Sequence, residues 1–431
     1  MKILWLNANL LLPLDKGGKL RTWHIMRGLA KQHDITYLSF ADPSQTTADH
    51  DGMRKVSRRL ETVPRTDAAK GTARFYVDAA RHLTEPAPYA VAKYRSDAFR
   101  QRLAALLGSE SFDLVVCDFL VPSINMPERL PCPAILFTHN VEAEIWRRHT
   151  ENARNVLSRW LLKQQWHRMR RFERNALHRF DLVLAVSDAD RETFNRLYPT
   201  AVRRPIHVVQ TGVDTGYFSP APSPSAGQHL VFTGSMDWLP NEDGMLFFVN
   251  DILPHIRTAV PDVTLSIIGR APTPAVQRLA DRNGITVTGR VDDVRPHVAA
   301  GTVYVVPLRI GGGTRLKIFE AMAMGKAVVS TTIGAEGLPV TPGRNIVIAD
   351  DPQAFAGTVV RLLRDSGMRR QIESEARRLV VERYDWSAVA ADFERALHRV
   401  RDGDVPSSER ATANAHRGKT TRTEETLVGS M

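Results

Sequence analysis

The sequence predicts an α/β protein built from two parallel-sheet domains, and three observations lead there. Short runs rich in Val, Ile and Leu recur along the 431 residues, each followed by a turn and a stretch with helical spacing of apolar residues. Such alternation marks strands joined by crossover helices. The pattern falls into two halves on either side of FSPAPSPSAGQ, Phe218 to Gln228, whose Pro, Ser and Gly are linker chemistry. Finally, 43% apolar against 24% charged residues is the balance of a globular chain long enough to bury two cores.

In the first half, strands are expected at Ile3 to Leu6, Ile35 to Phe40, Leu114 to Cys117, Ala134 to Phe137, Leu182 to Val186 and Ile206 to Val209. The opening run ILWLNANLLLPL is short, is interrupted by Asn7 and Asn9, and is followed by no small-residue cleavage site. It is therefore read as a first buried strand and not as a signal peptide. In the second half, strands are expected at Leu230 to Thr233, Val263 to Ile268, Ile285 to Thr288, Val303 to Val306, Ala327 to Ser330 and Ile346 to Ile348. A helix from Trp386 carries Val389, Phe393, Leu397 and Val400 on one face, suited to packing back on the first domain. The expected organisation is a first domain over 1–217, a linker over 218–228, a second domain over 229–385, a returning helix over 386–402 and a disordered tail over 403–431.

Composition narrows the partners. A net charge of +11 suits an anionic ligand or surface. Nucleic acid is disfavoured, because no zinc-finger spacing, aromatic RNP-like strand or basic heptad region is present. Cys117 and Cys132 lie in or beside apolar runs, which suits a reduced, cytoplasmic chain rather than a disulfide framework. No run reaches the ~18 to 20 apolar residues that a membrane span needs. The segment from about Asn152 to His178 is an amphipathic basic helix, with Leu157, Leu161, Met169, Phe172 and Ala176 at helical spacing. Two readings stay open for it: an apolar face packed on the sheet with a solvated basic face, or peripheral contact with an anionic membrane.

The segment with most chemistry is GGGTRLKIFEAMAMGKAVVST, Gly311 to Thr331, which runs from a strand through a glycine turn into a helix. Glycines admit a ligand close to the backbone, and unpaired amides at a helix start favour phosphate. Arg315 and Lys317 add full charges there. Glu320, one turn further, is placed to accept hydrogen bonds from ribose hydroxyls. In the first half, LLPLDKGGKLRTWH puts Gly17 and Gly18 at a turn into a helix, where their amides can meet phosphate or sugar. His139 follows a strand at its C-terminal end, the edge at which open α/β sheets bind ligands. Asp118 has the same placement. Ser187, Asp188 and Asp214 read as caps of the backbone that follows them.

With TGVDTGYFSP (Thr211 to Pro220) and FTGSMDWLPNEDG (Phe232 to Gly244), these segments resemble the retaining glycosyltransferases of family 4. The resemblance covers most of the chain. It implies the GT-B architecture, in which two Rossmann-like domains face each other across a cleft and the second holds a nucleotide-sugar donor. It implies that Glu320 binds the ribose, that the amides of Gly312, Gly313 and Thr314 hold the donor, that Gly17 and Gly18 face its diphosphate, and that His139 sits near the reacting centre. The implied reaction transfers a sugar, with retention, to a hydroxyl of a glycan or lipid-linked acceptor, as in exopolysaccharide synthesis at the inner face of a membrane.

Two departures stand out. The first glutamate of the family's Glu-x7-Glu motif is Gly312 here, and the family's Arg and Lys pair falls on the region of Ser235 and Glu242. Arg315 and Lys317 are expected to replace that cationic clamp as catalytic groups. No Asp-x-Asp follows a strand, and Asp292 and Asp293 read as helix-start residues, so neither a metal nor a cofactor beyond the donor is expected. The departures leave a second reading, a catalytically silent relative that binds nucleotide sugar or polysaccharide in a membrane-surface assembly.

Overall fold

The computed structural model describes residues 1–14, 17–66, 72, 85–151, 153, 155–200, 205–222, 227–310 and 315–404. Contacts divide the chain into two units, one formed by Met1–Gln210 with the chain from Ala390 on, the other by Thr211–Val389. The Pro- and Ser-rich run at 218–228 thus lies within the second unit. Of the tail expected to be disordered, 405–431 falls outside the described residues.

In the first unit the strands are β1 (Lys2–Asn7), β2 (Asp34–Ala41), β3 (Arg59–Pro64), β4 (Leu114–Asp118), β5 (Ala134–Phe137), β6 (Leu182–Ala185) and β7 (His207–Val208). They form one parallel sheet in the order β3-β2-β1-β4-β5-β6-β7. The second unit repeats the plan with β8 (His229–Thr233), β9 (Thr264–Ile268), β10 (Ile285–Val287), β11 (Val303–Val306), β12 (Ala327–Ser330) and β13 (Val347–Ile348). Their order is β10-β9-β8-β11-β12-β13, again parallel throughout. In each sheet the first strand lies inside and the winding reverses beside it, between β1 and β4 and between β8 and β11. Open α/β sheets bind ligands at the carboxyl ends of the strands flanking that reversal.

Each strand expected from an apolar run is present. Helices cover both faces of such sheets, so central strands are buried on both sides and read as continuous apolar runs; β4, β5, β11 and β12 are buried at every residue. The additional strand, β3, has the sequence RLETVP and lies at an edge. There Glu61 pairs with Arg59 and Arg102, the kind of charged decoration that keeps an edge from pairing with another chain.

Five helices carry the argument: α1 (Gly17–Leu29), α2 (Val156–Leu177), α3 (Leu239–Phe247), α4 (Leu316–Ala323) and α5 (Trp386–Arg401). From Ala390 on, α5 belongs to the first unit. Phe393 stacks on Trp5 at 5.5 Å between ring centroids and meets Phe137 edge-on at 5.1 Å. A Cβ on Gly28 of α1 would lie 2.4 Å from that of Ala390, so glycine is what lets α1 and α5 approach so closely. Helix α2 divides the two readings of its apolar face. Met169 and Ala176 are buried, whereas Val156, Leu157, Trp160 and Leu161 are 85%, 69%, 56% and 39% exposed.

Candidate functional site

In the second unit the site is built where β8, β9 and the chain after β11 end. Beyond β8, Gly234 donates its amide to Ile268 at the end of β9, and Met236 donates to Arg270. These two loops touch through glycine. A Cβ on Gly269, which has φ +154°, would sit 1.7 Å from the Gly234 carbonyl oxygen. On Gly234 a Cβ would come within 2.7 Å of both Lys317 Nζ and Asn241 Nδ2.

Asn241, buried in the first turn of α3, is the pivot. Its Nδ2 donates to the Ser235 carbonyl at 2.8 Å, and its Oδ1 accepts from Lys317 Nζ at 2.8 Å. The Lys317 ammonium also lies 4.2 Å from the Phe232 ring centroid. Arg315 is buried, donates from Nη2 to the Ile310 carbonyl, and places its guanidinium 5.7 Å from the Trp238 ring. Arg270 donates from Nε to Ser235 Oγ at 2.8 Å. Arg270, Arg315 and Lys317 thus line one hollow of about 440 Å³, with Ser235, Trp238 and Asn241 around them.

Burial sets the protonation here. It pushes Lys317 down to about 7, with Arg315 adding to the effect and Glu320 opposing it. It pushes Glu320 up to about 7, against the pull of Lys317. Arg315 is also lowered by burial, partly offset by Glu336. The Glu320 carboxylate, one helical turn beyond Lys317, has no hydrogen-bond partner among the described residues, so its oxygens are available to hydroxyl donors.

The first unit has its own polar centre at the ends of β1, β4 and β5. Asp118 is fully buried. Its Oδ2 accepts from Asn7 Nδ2 at 2.7 Å, Thr22 Oγ1 at 2.8 Å and Trp5 Nε1 at 3.1 Å. Its Oδ1 lies 2.7 Å from His139 Nε2, and His139 Nδ1 lies 2.8 Å from Arg21 Nη1. A guanidinium only donates, so Nδ1 accepts and the ring proton sits on Nε2, facing Asp118. Burial holds the imidazole neutral by lowering its pKa, and it pushes Arg21 down to about 10 against Asp190 and Asp118. The Phe119 ring stacks on His139 at 3.8 Å, and a Cβ on Gly18 would meet that ring at 2.6 Å.

Comparison with known proteins bears on both units. The family model described as Glycosyltransferase Family 4 matches residues 16–217, and that described as Glycosyl transferases group 1 matches residues 227–365. The chain belongs to the family 4-type glycosyltransferases. A phosphatidyl-myo-inositol mannosyltransferase of Mycolicibacterium smegmatis is 30% identical over 242 residues, 54% of this chain and 60% of that protein. An alpha-maltose-1-phosphate synthase of the same species is 27% identical over 289 residues, 60% of this chain and 70% of that protein. An uncharacterised 44.6 kDa protein in the cps region of Klebsiella pneumoniae is 28% identical over 36% of this chain and 42% of its own length. The match to the first of these curated relatives therefore spans about half their length. Among solved structures, HepE of Anabaena in complex with UDP superposes with a TM-score of 0.63 at 16% identity, over 92% of this chain and all of that one. Sucrose-phosphate synthase from Thermosynechococcus elongatus gives 0.61 at 16% identity, over 94% and 100%. These likenesses establish the GT-B fold.

Against this family background, the structure sorts the expected site residues. Arg315 and Lys317 come together in one hollow, with Glu320 on the next turn. Gly17 and Gly18 open α1, where the first amides of a helix have no partner within it. Gly312, Gly313 and Thr314 lie outside the described residues. Both ring nitrogens of His139 are held by protein groups, so a sugar hydroxyl would reach it only by displacing Arg21. Asp118, expected at an open strand end, is instead fully enclosed because four donors converge on it. Ser187 caps the helix Asp188–Leu197 through the Asp190 amide, and Asp214 accepts from the amides of Gly216 and Tyr217. Asp293 accepts from the Arg295 amide at a helix start. The region of Ser235 does carry a cation after all, Arg270, which arrives from the loop after β9.

Proposed function

We propose that the chain transfers a sugar from a nucleotide-diphosphate donor to a hydroxyl acceptor with retention of configuration, in exopolysaccharide or lipid-linked glycan synthesis. The observation that carries this reading is the hollow beside the winding reversal of the second sheet, which Arg270, Arg315 and Lys317 line, with Glu320 one helical turn beyond Lys317. A diphosphate fits the cations and a ribose the carboxylate. HepE, which shares the fold, has been crystallised with UDP and with UDP-glucose, in keeping with a nucleotide-sugar donor.

In the proposed reaction the bond from the sugar's anomeric carbon to the β-phosphate oxygen breaks, and the acceptor oxygen bonds to the same face. The acceptor's proton passes to the departing phosphate. Arg315 and Lys317 stabilise the charge that grows on that phosphate, and fixed cations in a partly dry site do so without reorganising. Removing one such donor costs about 10²- to 10³-fold in turnover. Release of nucleoside diphosphate should therefore fall by that order in Arg315→Ala and in Lys317→Ala; unchanged release in both would remove the clamp from the account.

The locking of His139 favours one further reading, a silent binder of nucleotide sugar. The same assay separates the two, since a silent binder holds nucleotide and releases no diphosphate from any sugar donor. For the acceptor, the exposed apolar end of α2 supports peripheral contact with an anionic membrane on the cytoplasmic side. No helix among the described residues is long and apolar enough to cross one.

A further inference from the structure

We propose that His33, Glu394 and His398 form a binding site for a divalent first-row transition metal ion, of which zinc is the best match. Glu394 and His398 stand four residues apart on α5, the spacing that brings two side chains onto one helix face. His33 meets them from the turn between α1 and β2. Its Nε2 lies 2.7 Å from Glu394 Oε1, and His398 Nε2 lies 3.9 Å from the same oxygen. One ligand atom from each of the three lies within 4.8 Å of the others.

Zinc at ordinary bond lengths holds tetrahedral ligand atoms roughly 3.3 Å apart. The observed separations bracket that value, and the His398 side chain, 41% exposed, is free to close the remaining distance. Two imidazoles and one carboxylate suit zinc and its neighbours in the first transition row better than magnesium or calcium, which prefer all-oxygen sets. His33 is already positioned: its side chain is 5% exposed, and its Nδ1 lies 3.1 Å from the Met1 amine. The three ligands leave a fourth position open. Water can complete the coordination there, as it does at three-ligand zinc sites. All three ligands belong to the first unit, so the ion would tie α5 to the corner after α1.

The test uses the full chain without an affinity tag, stripped with EDTA and titrated with ZnCl₂ by calorimetry, and with Co²⁺ followed by its visible absorption. One saturable equivalent is expected, bound at least tenfold more weakly by His398→Ala and by Glu394→Gln, with His149→Ala unchanged as a control. Failure to take up a saturable equivalent overturns the proposal, as does equal affinity in both ligand variants. Should Glu394→Gln lower the metal-free melting temperature by breaking its bond to His33, His398→Ala, altered at a largely exposed side chain, still decides the matter.

Discussion

Lys317 and Glu320 titrate near the same pH from opposite directions, and the sign of each shift makes a prediction. In the unfolded chain a glutamate titrates near 4.3 and a lysine near 10.4. Between ~4.3 and 7 the folded chain keeps a proton on Glu320 that the unfolded chain has lost, so stability falls as pH rises. Between 7 and ~10.4 the unfolded chain keeps a proton that Lys317 has lost on folding, so stability rises with pH. The pair is thus most costly near pH 7. The double variant Lys317→Met, Glu320→Gln should gain the most melting temperature over wild type near pH 7 and less at pH 5 and 9, as thermal unfolding across that range would show. A gain independent of pH would mean that the two side chains are not buried as described. Asp118 makes a different prediction, because its loss orphans four donors at once. Asp118→Ala should cost at least ~3 kcal/mol in urea unfolding; a cost under ~1 kcal/mol would mean that water satisfies those donors. The residue chemistry of the site was partly legible in advance. Arg315, Lys317 and Glu320 share one short segment, so their register shows in the sequence. Arg270 and Asn241 do not, because they reach the same hollow from loops after β9 and β8, and only the fold brings Asn241 to Lys317, 76 residues away. His139 was legible as a residue at a strand end, but its engagement by Arg21, 118 residues earlier, was not.

At the level of elements, strands were legible wherever burial on both faces makes the run continuously apolar. The edge strand β3 escaped because charged residues, Arg59 and Glu61, at half-buried positions interrupt its apolar run. Helix α2 shows a second limit. Its apolar residues fall at helical spacing along its whole length, yet only the C-terminal half packs inward, and no periodicity tells a packed half from an exposed one. The exposed half, Val156 to Leu161, sits beside Arg159 and Lys163, a combination suited to the interface of an anionic bilayer. Vesicles rich in phosphatidylglycerol should carry the wild type upward in a flotation gradient, and Leu157→Glu with Trp160→Glu should leave it at the bottom. Equal flotation of both would assign those side chains to another role. The double substitution falls at positions 69% and 56% exposed, so the fold should tolerate it.

For the molecule as a whole, the same winding occurs twice, and each reversal collects the polar residues of its unit. The two matched family segments fall on those two units, at 16–217 and 227–365. The central claim is that the reversal in the second sheet holds the nucleotide of a sugar donor through Glu320 and its neighbouring cations. Thermal stabilisation of the wild type and of Glu320→Ala by UDP, GDP and ADP tests it most directly. A ligand at ~100 times its dissociation constant adds about 2.7 kcal/mol to folding stability. The account predicts such a gain with at least one diphosphate and its loss in Glu320→Ala. No gain with any of the three, or the same gain in the variant, would contradict it.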